Sequence, residues 1–103
     1  MRKLADGPEP RAERPATVVL HDEANARIVA FRLEPGQRIS PHHSNSTVIV
    51  QVTAGSGTFI GEDGRALLSA GETAVYAPGE THAIEAGDEP LRFLAILAPR
   101  PGG

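Results

Sequence analysis

Short runs of alternating apolar and polar residues dominate this chain. At 27–34, Val29, Phe31 and Leu33 alternate with Ala30, Arg32 and Glu34, the period-two pattern of a strand with one buried face. Val48, Val50 and Val52 share one face of a second run at 47–53, and a β-branched run occupies 16–21. Further strand signals fall at 37–42, 58–60, 65–69, 73–77, 82–86 and 91–97. Turn chemistry separates them: Pro35-Gly36, Gly55 with Gly57, Glu62-Asp63-Gly64, Ala70-Gly71-Glu72, Pro78-Gly79-Glu80 and 87–90. No segment carries ten residues of helical period. The pattern predicts an all-β domain of nine or ten short strands, as in a barrel or sandwich.

Composition agrees with that reading and narrows the function. The 103 residues suffice for one domain, and eleven Gly with nine Pro suit many turns. Residues 1–15 are polar and Pro-rich and read as a flexible N-terminal arm, 16–98 as the barrel domain, and 99–103 as a flexible tail. The formal charge is −3, with no basic stripe and few aromatics, which argues against nucleic acid as a partner. With no Cys, thiolate nucleophiles, disulfides and thiolate-bound zinc are excluded. No apolar run approaches spanning length and no secretory leader is visible, so no membrane partner and a cytoplasmic location are expected.

Two segments carry the candidate chemistry. In the first, Gly36 precedes His42, Ser44, Val48 and Gly55; in the second, Gly71 precedes Pro78, Gly79 and His82. Their spacing resembles the two signature motifs of the cupin superfamily, G-x5-H-x-H-x3/4-E-x6-G and G-x5-P-x-G-x2-H-x3-N. Gly36, His42, Gly55, Gly71, Gly79 and His82 fall in register, while Ala77 holds the proline position and Ala86 the final Asn position. The resemblance covers about residues 16–98. It implies a double-stranded β-helix, or jelly-roll, barrel, commonly a homodimer. It also implies metal ligands at four positions, which here read His42, Ser44, Val48 and His82. Half of that set is missing.

Residues 42, 44 and 48 share strand parity and are expected on one face, and His82 shares its face with Ile84 and Ala86. His43, on the opposite parity, needs a bulge near Pro41 to turn inward. The candidate metal ligands are therefore His42, His82 and His43, and the candidate cofactor is a divalent ion: zinc, copper, nickel, iron or manganese. Ser44, Val48 and Val50 are candidate pocket residues, with Val52, Val75, Ile84 and Phe93 as further apolar lining. His21 reads as a surface residue. The leading expectation is a small-molecule site at the barrel mouth built on His42 and His82, with loading by a divalent metal and action as a metal-dependent enzyme of unspecified reaction both left open. The alternative is a metal-free barrel that binds or senses a small, mostly apolar ligand.

Overall fold

The structure, a computed structural model, describes residues 1–102, which form seven strands and no helix. They are β1 (Ala16–Glu23), β2 (Ala26–Leu33), β3 (Arg38–His42), β4 (Thr47–Gly61), β5 (Gly64–Ser69), β6 (Thr73–Tyr76) and β7 (His82–Ala98). All pairings are antiparallel. Seven strands replace the nine or ten expected because two pairs of short runs are continuous. The runs at 47–53 and 58–60 are both β4, and those at 82–86 and 91–97 are both β7.

β4 and β7 stay paired with each other through their bends, which keeps the backbone groups there satisfied. Their ladder runs from Thr47↔Ala98 to Gly55↔Leu91 and resumes from Gly57↔Ala86 to Ile60↔Ala83. Register slips at Val52/Ala54 and at Gly55/Gly57 mark the corner, where bulges let a strand change direction. Gly55 has φ +73°, and a Cβ there would run into the Pro90 carbonyl. Only glycine allows β4 to cross β7 so closely.

The bend gives the two halves of the ribbon different neighbours. β2 lies along the second half of β7, with β1 outside it, and β6 flanks the first half of β4. β3 lies along the first half of β7, and β5 along the second half of β4. Inward positions from both halves share one core that includes Leu33, Val50, Val52, Phe59, Leu91 and Phe93. Phe93 is its centre, stacked on Phe31 at 4.6 Å and edge-on to Phe59 at 5.3 Å.

Three turns use one device. In Glu34–Gln37, Ser69–Glu72 and Ala77–Glu80 the fourth residue's amide bonds the first residue's carbonyl at 3.0 Å. Pro or Ala takes the second place, and Gly36, Gly71 and Gly79 take the third with φ of 79°, 91° and 82°. The Gln37, Glu72 and Glu80 side chains then accept from the first residue's own amide, at 2.9, 2.8 and 2.9 Å. A Pro/Ala-Gly-Gln/Glu triplet therefore closes each turn twice. The third of these turns delivers His82 to the start of β7.

Residues 1–15 form no strand but lie against the barrel. Gln37 Nε2 donates to the carbonyls of Arg11 at 2.7 Å and Ala12 at 3.3 Å, and Leu4 to Gly7 sit over Ala30 and Thr53. His21 is half-buried, with Arg2 bonded at its Nδ1 and Glu23 at 3.7 Å from Nε2.

Candidate functional site

A cavity of about 420 Å³ opens at one end of the barrel, within the range of small-molecule sites. Its walls come from four strands. β2 gives Phe31, β3 gives Ile39 and His42, β4 gives Val48 and Val50, and β7 gives His82, Ile84, Phe93, Ala95 and Leu97. The loop 43–45 and the tail residues Pro101 and Gly102 border the mouth.

A one-residue bulge sets the polar end of this cavity. Ile39 pairs with Ile84, and an unbroken ladder would place Pro41 opposite His82. The slip between Ile39 and His42 brings His42 opposite His82 instead. Their rings meet edge to face with centroids 4.2 Å apart. Tyr76, packed behind, stacks on His82 at 4.4 Å and 18°. His42 is exposed at the rim, and His82 is buried in the wall.

Backbone carbonyls fix both imidazoles. His42 Nδ1 lies 2.9 Å from the Ser40 carbonyl oxygen, and His82 Nδ1 lies 3.0 Å from that of Glu80. A carbonyl oxygen only accepts, so each Nδ1 carries the hydrogen and each neutral ring keeps its lone pair on Nε2. Burial holds the His82 imidazole below the usual histidine range; the Glu80 carbonyl opposes this, and the neighbouring His42 ring adds to it. Burial also pushes the Tyr76 phenol up to about 12, helped by the charges of Glu80 and Asp63. Glu80 is held below the usual carboxylate range by the amides of Ala77 and Glu62.

The donor set does not fit a resident metal centre. The paired His42 and His82 offer two Nε2 lone pairs, short of the three protein ligands of catalytic zinc or the four of structural zinc, and His43 at the rim does not close with them into a group of three. Ser44 stands where the motif places a second His, and Val48, a buried apolar wall residue, stands at the carboxylate position. Among the described residues no three His, Asp or Glu side chains group closely enough to hold a metal ion.

His43, Ser44, Val48 and Val50 all border the cavity, although strand parity does not explain the first two. β3 ends at His42, so 43–46 is a loop, held by the bond from the Gly79 amide to the Ser44 carbonyl at 2.7 Å. The bulge near Pro41 exists, but it aligns His42; His43 reaches the rim from the loop. Ile84 and Phe93 also line the cavity, and Val52 belongs to the core beyond it. Val75 does not contribute: Tyr76 faces inward, so its neighbour on β6 points out and is 61% exposed.

Sequence reading misses the tail. Buried Ser46 donates through Oγ to the Pro99 carbonyl at 2.5 Å, and the Arg100 amide donates to the Ala24 carbonyl at 3.2 Å. Arg100 also lies 3.7 Å from Asp22. These contacts carry Pro101 and Gly102 across the mouth. No local signal in a Pro-Gly stretch foretells them.

A bent ribbon of two long strands, four flanking partners and a cavity at one end define a cupin-type double-stranded β-helix. The sequence profile of the AraC-like ligand-binding domain matches residues 25–101, and the chain belongs to that family. Solved structures share the fold. An uncharacterized conserved protein with a double-stranded β-helix domain from Klebsiella pneumoniae is 26% identical, with a TM-score of 0.82, over 92% of this chain and 85% of that one. A cupin superfamily protein from Desulfitobacterium hafniense is 17% identical, with a TM-score of 0.81, over 94% of this chain and 98% of that one. A DMSP lyase from Ruegeria pomeroyi is 20% identical, with a TM-score of 0.79, over 84% of this chain and 47% of that one. No curated protein matches the chain. Barrels of this shape thus include both enzymes and ligand-binding proteins.

Proposed function

We propose that this protein binds a small organic molecule in the barrel cavity and does so without a resident metal. The observation that carries the reading is the cavity itself: about 420 Å³, walled mainly by aliphatic and aromatic side chains, with a pair of imidazoles at one end. Apolar walls supply the affinity through removal of ligand surface from water, and a few fixed polar groups supply orientation. His42 and His82, locked by Ser40 and Glu80, are such groups. Membership of a ligand-binding domain family supports the same reading. The incomplete ligand set at Ser44 and Val48 weighs against the metal-dependent enzyme that intact cupin motifs would imply.

A thermal-shift and NMR screen of small neutral organic fragments, run with and without a chelator, tests the proposal. Hits are expected to raise Tm by mass action, to perturb Val48, Val50, Ile84 and Ala95, and to survive the chelator. Filling the cavity with Ala95→Leu should abolish the response. Binding that appears only after a divalent metal is added, or a screen with no hits, would overturn it.

A further inference from the structure

Among the described residues the cavity wall carries no carboxylate, ammonium or guanidinium side chain. Its polar side chains are the three imidazoles of His42, His43 and His82, the Ser44 hydroxyl and the Asn45 amide. Buried His82 is the deepest of these in the wall, whereas His42, His43 and Asn45 are exposed at the rim. Its Nδ1 hydrogen is committed to the Glu80 carbonyl at 3.0 Å, which leaves Nε2 as the acceptor. The stacked Tyr76 ring and the edge-to-face contact with His42 hold the imidazole plane in place.

Such a wall discriminates by charge and by hydrogen-bonding sense. An anion would surrender its hydration and meet no fixed cation in return, and an ammonium would meet no carboxylate among the described residues. A purely apolar guest would strand the Nε2 lone pair, whereas a guest with a hydroxyl hydrogen would satisfy it. Phe31 and Phe93, stacked with planes 4° apart, give the same cavity a flat aromatic wall.

We infer that the ligand is an uncharged, largely apolar molecule ending in a hydroxyl donor, of the substituted-phenol type, whose O–H is accepted by His82 Nε2. This inference rests on the proposed binding role and specifies its ligand class. No covalent step is involved.

Three matched probes test it at about pH 7.5: 4-ethylphenol, ethylbenzene and 4-ethylbenzoate, each titrated into the full chain by NMR. The phenol should bind about 5- to 100-fold more tightly than ethylbenzene, the span expected for satisfying one buried acceptor. The carboxylate should bind more weakly than either. In His82→Phe, which keeps the flat ring against Tyr76, the preference for the phenol over ethylbenzene should collapse while ethylbenzene still binds. If that variant does not fold, the ¹⁵N resonance of His82 Nε2 in the wild type decides, since it should move with 4-ethylphenol and stay with ethylbenzene. Equal binding of phenol and ethylbenzene, or tighter binding of the carboxylate, would overturn the ligand class and leave the binding role standing. Failure of all three to bind at millimolar concentration would sink both.

Discussion

His42 and His82 stand opposite each other across β3 and β7, ring centroids 4.2 Å apart, only because one extra residue is inserted between Ile39 and His42. Buried His82 makes the site sensitive to pH. His82 has its pKa lowered, first by burial, so the unfolded chain takes up that proton earlier as pH falls. Its contribution to stability is therefore complete above about pH 6.5 and is lost as pH drops from there through the lowered folded value. Tm followed from about pH 8 to 5 should be level and then decline. The decline should be shallower in His82→Phe, and parallel curves would contradict the assignment.

Gly55 and Gly36 both have positive φ, at 73° and 79°, yet they should respond differently to alanine. A methyl added at Gly36 would meet nothing within 4 Å, so Gly36→Ala should cost only backbone strain, about 1–2 kcal/mol. At Gly55 the methyl would meet the Pro90 carbonyl, rigid backbone at the β4–β7 corner. Gly55→Ala should cost more than about 3 kcal/mol in urea unfolding. Equal losses would mean that the corner is not tightly packed.

Phe93 is 1% exposed and touches Phe31 and Phe59 ring to ring. Phe93→Ala should lose about 3–5 kcal/mol, the range for an aromatic cavity. By contrast, Leu67→Ala, at a side chain 66% exposed, should stay within about 0.5 kcal/mol of wild type. Chemical denaturation of the two variants side by side measures the difference.

The Tyr76 hydroxyl is buried with no hydrogen-bond partner among the described residues. Removing it should be neutral or stabilising, so Tyr76→Phe is expected to change stability by between zero and about +1 kcal/mol. Tyr76 is the only Tyr and the chain has no Trp, so ultraviolet titration reads it without overlap. Ionisation should be displaced upward to about 12. Because the folded value is raised, the unfolded chain ionises first, so stability should be level below pH ~10 and fall as pH climbs through the folded value. A loss above about 1 kcal/mol in Tyr76→Phe would reveal a partner for the hydroxyl.

Ser46 ties the tail to the barrel through Pro99. Ser46→Ala should cost about 1 kcal/mol and release the tail that crosses the mouth. Hydrogen exchange at the Arg100 amide, bonded to Ala24, should accelerate while exchange in the β2–β7 ladder stays unchanged. Unaltered exchange at Arg100 would show that the Arg100–Asp22 pair and the Ala24 bond suffice to hold the tail.

The all-β class and most of the turns are legible in the order of residues alone. Period-two alternation at 27–34 and 47–53 turns one face of each strand to the core, and Pro-Gly or Ala-Gly pairs set turn geometry through local backbone preferences. Motif spacing also brings His42, Ser44, Val48 and His82 forward together, and the valine face of 47–53 adds Val50. The remaining features depend on how distant segments meet. Whether a Gly-rich stretch ends a strand or bends one depends on a remote neighbour, and here the Pro90 backbone keeps β4 whole past Gly55. His42 meets His82 through a slip at 40–41 that β7 imposes on β3, and His43 and Ser44 reach the cavity from a loop that Gly79 holds. The tail's path depends on Ser46, 53 residues earlier in the chain than Pro99. Local patterns record which face of a strand is wet, whereas register, corners and closures are set by contacts between residues far apart in sequence, which no window of the sequence contains.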